Sequence, residues 1–135
     1  MTSPNSLGII ELGGVCARQR AISLDLFEQL GALVTDDATS PGADQQHFAA
    51  ACHRHAWHAA LWSQRAPTIP PVQQDGLFER AVARHRGTHH SVTDAASYRR
   101  ATEALTADLT ELLDRIDPLL DPSTARVISL VLADL

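Results

Sequence analysis

The sixteen residues from His47 to Trp62 carry four of the chain's seven histidines, both of its tryptophans and one of its two cysteines. At helical spacing Phe48, Cys52, His55, Ala59 and Trp62 fall at steps of four and three, the stripe that a core-facing helix presents to its neighbours. A titratable, metal-capable imidazole therefore stands in the middle of an apolar face. His58, three residues beyond His55, lies beside it on the same side of the helix, whereas His53 and Trp57 point elsewhere. Whatever this chain folds into has to cover that stripe and give its ring nitrogens partners.

The cover is expected to be helical. Alanine is abundant and aromatic residues make up only 4% of the chain, a bias that favours helix because alanine loses no side-chain entropy on entering one. At 135 residues the chain reads as one domain, residues 1–135, with a single core. Its formal charge is −5, and all eleven basic residues are arginine. A net negative surface argues against general binding to nucleic acid or to an anionic membrane, both of which need a positive field. No apolar run approaches a membrane span and Met1 to Ser6 lacks the features of a signal peptide, so the expected location is cytoplasmic. Cys16 and Cys52 lack Cys-x-x-Cys spacing and read as buried free thiols.

Ser3-Pro4 signals a helix start, and the first helix is expected over about Leu7 to Leu33 with Leu7, Ile10, Gly14, Ala17, Ala21 and Leu24 inward and Val15, Ile22 and Leu26 broadening the stripe. Gly13-Gly14 marks a kink or a close helix crossing, the rival being a short strand Gly8 to Leu12 closed by a turn. Glu11, Arg18 and Asp25 recur every seven residues along one edge, either a solvated flank or a polar line into the bundle. A second helix spans about Asp44 to Arg65, stopping before Pro67. A third, with Phe78, Val82 and His85 on one face, ends near Arg86 with Gly87 as its cap. Ser91 with Asp94 has the spacing of a capping box ahead of a fourth helix, which carries Tyr98, Ala101, Leu105, Leu109, Leu112 and Ile116 inward. Asp117-Pro118 ends that helix and Asp121-Pro122 begins a last one, apolar nearly all round.

A helix hairpin with Glu11 on one arm and a His-x-x-His pair on the other resembles the ferritin-like group of bundles. There, two metal ions sit between helices on glutamates and two inward Glu-x-x-His pairs. The resemblance implies an all-α antiparallel four-helix bundle with a short extra C-terminal helix. The chain departs from the family pattern: the second helix offers Cys52-x-x-His55 or His55-x-x-His58, and no second Glu-x-x-His exists. What remains implied is a single transition-metal ion, zinc, copper, iron or manganese, on Glu11, His55 and His58, with Cys52 as a further donor.

Two other readings stand beside it. The imidazoles can be bulky, hydrogen-bonded core residues with Glu11, Asp25 or Tyr98 as partners. The protein can be a non-catalytic helical module that forms a homodimer, or docks a partner helix, through the Thr124 to Leu135 helix and the exposed side of the second. Hydrolases and transferases of the usual kinds find no support: there is no Gly-rich phosphate loop, no Gly-x-Ser-x-Gly and no His-Glu-x-x-His.

Overall fold

A computed structural model describes residues 7–35, 43–67, 76, 80 and 90–135. Its helices are α1 (Ile9–Thr35), α2 (Ala43–Arg65), α3 (Ala95–Asp114) and α4 (Pro122–Asp134), and no strand occurs among the described residues. The all-α class is as expected. The strand alternative at Gly8 to Leu12 does not form, because Leu12 N–H already donates to Gly8 C=O at 2.9 Å in the first helical turn. Gly13 and Gly14 lie within a continuous α1. The expected third helix with Phe78, Val82, His85 and Gly87, the Ser3-Pro4 start and the segments 36–42 and 68–71 fall outside the described residues. Among the described helices none is long and apolar enough to cross a membrane.

Two helix starts can be read atom by atom. Asp94, not Ser91, caps α3: its carboxylate accepts from Ser97 N–H at 2.8 Å, and Ser97 Oγ accepts from Asp94 N–H at 3.0 Å. The box thus sits three residues later than the sequence suggested. The preceding chain is held by α1 instead, since Val92 N–H donates to Gln29 Oε1 at 2.7 Å and the Val92 side chain is buried. Asp121 caps α4 through Thr124 N–H, with Pro122 supplying the preset φ of the first turn. Arg65 at the end of α2 grips the same cap, donating to Asp121 Oδ1 at 2.9 Å and Thr124 Oγ1 at 2.7 Å.

Further bonds fix which ends meet. Cys52 Sγ donates to Phe27 C=O and Gln45 Nε2 to Val34 C=O, so early α2 lies against late α1. Arg18 and Gln19 both donate to Asp108 Oδ2, and Arg115 pairs with Glu11, so early α1 lies against late α3. Between these ties the core closes over Leu30, Trp62, Leu109 and Ile128, all essentially fully buried. Each such aliphatic side chain contributes roughly 1.5–3 kcal/mol relative to exposure.

The buried face of α1 is Leu12, Gly13, Cys16, Gln19, Ser23, Leu26 and Leu30; of the stripe expected from apolar periodicity only Leu26 lies on it, and Leu7, Ile10, Gly14, Ala17, Ala21 and Leu24 do not. Gln19 and Ser23 hide the true stripe from a count of apolar residues. α4 is one-sided too: Thr124, Val127, Ile128 and Val131 face inward while Leu130 is exposed.

Candidate functional site

The stripe on α2 places His55 and His58 in the interior, 1% and 0% exposed. Their rings meet edge to face, with centroids 5.4 Å apart and planes at 86°. Each is tied to a different helix. His55 Nε2 lies 2.9 Å from the Tyr98 hydroxyl of α3, and His58 Nε2 lies 2.8 Å from Asp134 Oδ2 of α4. Tyr98 also stands edge-on to Phe48 and His47, so the imidazole pair and the aromatic residues form one cluster where α2 meets α3.

Electrostatics keep both rings neutral at pH 7. Burial, then the neighbouring His58 and Arg54, pull the His55 pKa down to about 3. Burial also lowers His58, and the hydrogen bond and charge of Asp134 do not make up the difference. The His58–Asp134 contact has the spacing of an ion pair but is a hydrogen bond from neutral imidazole to carboxylate. Asp134 can only accept, so His58 carries its proton on Nε2 and leaves Nδ1 as a bare lone pair. Burial raises the Tyr98 hydroxyl, against the opposing charge and hydrogen bond of Arg54. His55 Nδ1, His58 Nδ1 and Trp62 Nε1 are buried without a hydrogen-bond partner among the described residues.

Glu11 does not join this cluster. Its side chain is 62% exposed and pairs with Arg115 at 3.4 Å at the edge of α3. The physical reason is rotational: with Leu12 and Cys16 turned to the core, the residue before Leu12 is carried about 100° away from it. Cys52, only partly buried, hydrogen-bonds Phe27 C=O, and Cys16 is buried; both are free thiols, as expected. Among the described residues no three His, Cys, Asp or Glu side chains gather where they could hold a metal ion. The expected Glu11, His55, His58 set is therefore not assembled, and the pair alone supplies two donors where catalytic zinc takes three.

The sequence signalled His55, His58 and Tyr98 but not Asp134. An acid in the last turn of a helix opposes the macrodipole, and that mismatch is the clue that Asp134 answers to something other than its own helix.

Two surface features lie outside the cluster. The Glu11, Arg18, Asp25 edge runs along the seam with α3, where Leu7, Ile10, Val15, Arg18, Asp108 and Arg115 help line a groove of about 330 Å³. Ile9, Ile10, Phe27, Trp57, Leu119, Leu120 and Leu130 are large apolar side chains left exposed. No protein-family model, curated protein or solved structure matches the chain.

Proposed function

We propose that the protein is a non-catalytic helical interaction module that self-associates. In this reading it is an antiparallel bundle similar to the ferritin-like class, with the helices of that class and not its ligand set, working in the cytoplasm. The observation that carries it is the contrast between interior and surface. The imidazoles are turned inward as ties between α2, α3 and α4, while apolar side chains that a monomer gains nothing by exposing stand outside. The test is light scattering coupled to size exclusion over about 1 μM to 1 mM, bracketing the usual affinities of such modules. A mass that rises toward twice 14.6 kDa supports the reading. A constant monomer mass removes it.

A second reading has one specific observation behind it. Both imidazoles hold an oxygen partner on Nε2 and leave Nδ1 unpartnered, the arrangement by which an outer hydrogen bond orients a metal-bound histidine. In that case His55 and His58 hold a soft ion such as copper, with further ligands from small molecules. Tag-free protein dialysed after loading with copper or zinc then retains close to one equivalent, and His58→Ala loses it. Retention below a tenth of an equivalent ends this reading.

A further inference from the structure

Between α1 and α3, on the far side of the Arg18–Asp108 rung from the groove at Glu11, lies a second cavity of about 250 Å³. Its floor is Ile22 and Leu26 from α1 with Ala101, Ala104 and Leu105 from α3. The room comes from α3. Ala101 is the one short side chain between Tyr98 and Leu112 on the inward face, and Ala104 beside it is half-buried. Side-chain ties at both ends keep the helices from closing over these alanines. At one end Arg18 and Gln19 both donate to Asp108 Oδ2 at 2.8 Å. At the other, Gln29 donates to His90 C=O at 3.1 Å and accepts from Val92 N–H at 2.7 Å. Packed interiors leave few such spaces, and an apolar cavity of about 150 Å³ already holds benzene. This one has room for a ring of that size with a short chain attached.

The charges around it select the sign of a ligand. Asp25 and Asp108 line the wall against a single guanidinium, Arg18, which Asp108 already holds, and His90 is exposed at the mouth. Both donors to Asp108 sit on Oδ2, and Oδ1 has no hydrogen-bond partner among the described residues. An anion in the cavity would meet two carboxylates. A neutral apolar molecule would cover Oδ1 without giving it a donor. An ammonium group supplies the missing N–H in a charge-assisted bond and offsets the second carboxylate. We propose that this cavity binds a small organic cation, with its apolar body on the α1–α3 floor and its ammonium group donating to Asp108 Oδ1. An apolar pocket with a few converging polar groups is the usual form of a small-molecule site. The site lies within one chain and does not depend on self-association.

The experiment is amide NMR titration with three probes of similar shape: phenethylamine, 2-phenylethanol and phenylacetate. The expected shifts centre on Ile22, Leu26, Ala101 and Ala104. The amine should bind roughly tenfold or more tighter than the alcohol, the worth of one charge-assisted hydrogen bond, with phenylacetate weakest. Ala104→Leu extends a side chain into the cavity from a half-buried position, so it keeps its helical circular dichroism and weakens the amine by about tenfold or more. Asp108→Asn keeps an acceptor for Arg18 and Gln19 and brings the amine down to the alcohol's affinity. Shifts centred elsewhere, or binding undiminished in A104L, overturn the site. Amine and alcohol bound equally, or an amine indifferent to D108N, overturns the ammonium assignment. No shift with any probe at about 10 mM, where ligands of this size register at ordinary efficiency, sinks the proposal and leaves the self-association reading untouched.

Discussion

Acid should unfold this protein through its paired imidazoles well before its carboxylates titrate. His55 has an ordinary pKa of 6.5 when exposed and about 3 in the folded chain. A group with a depressed folded pKa binds its proton more readily unfolded. Its contribution is therefore complete above about pH 6.5 and is lost as pH falls toward the folded value. At pH 5 the unfolded ring is almost wholly protonated and the folded ring almost wholly neutral. At ~1.36 kcal/mol per unit this costs about 2 kcal/mol, a large share of the roughly 5–15 kcal/mol that holds a domain together. His58 is lowered as well and adds to the loss. Asp94 and Asp121 are shifted below the ordinary 3.8, so their losses begin at more acid pH. The assay is urea unfolding at pH 7.5, 6 and 5, followed by circular dichroism, for the wild type and for His55→Leu. The variant forfeits the Tyr98 hydrogen bond at every pH, so its absolute stability is not the readout. The expected result is that it loses about 2 kcal/mol less than the wild type on going to pH 5. Parallel pH dependences would refute the argument that His55 is held neutral by burial.

Other tests probe the ties between helices. Asp108→Ala strands Gln19 Nε2, which is buried with Asp108 as its acceptor, and also frees Arg18; a loss of about 1–3 kcal/mol in urea unfolding is expected. Asp121→Ala removes the α4 cap and an anchor of Arg65 together, costing about 1–2 kcal/mol, with amide exchange in Thr124 to Val127 accelerated first. The Cys16 thiol is buried and its pKa is pushed up to about 11, so a thiol reagent at pH 8 should modify Cys52 well ahead of Cys16, and both at equal rates in denaturant.

The sequence made some of this legible because several signals agreed there. On α3, past the capping Ser97, the expected inward residues Tyr98, Ala101, Leu105, Leu109 and Leu112 are all buried. Asp121-Pro122 falls where α4 begins because proline presets the φ of a first helical turn, whereas α3 stops at Asp114, three residues before Asp117-Pro118. On α1 the signals disagreed. Its inward face includes Gln19 and Ser23, whose burial depends on what the other helices bring, and Asp108, 89 residues away, is Gln19's partner. No periodicity count can weigh a partner that distant. The α3 cap moved for a similar reason: Ser91 and Asp94 both carry capping chemistry, and a contact from Gln29 on another helix decides between them.

Misjudging the inward face of α1 also explains why Glu11 stands outside. A one-position shift of a helical stripe turns every residue on it by about 100°, enough to exchange a ligand position for a rim position. What the Glu11, Arg18 and Asp25 line does instead follows from α3, where Asp108 and Arg115 have the same seven-residue spacing with the signs reversed. Opposite charges at matching intervals on facing helices set which residues lie abreast more than they add stability, since exposed pairs contribute only about 0–1 kcal/mol each. Arg18–Asp108, the better buried rung, fixes the register of α1 against α3. The outer rung, Glu11–Arg115, is longer and more open to water, so it adds less to that register.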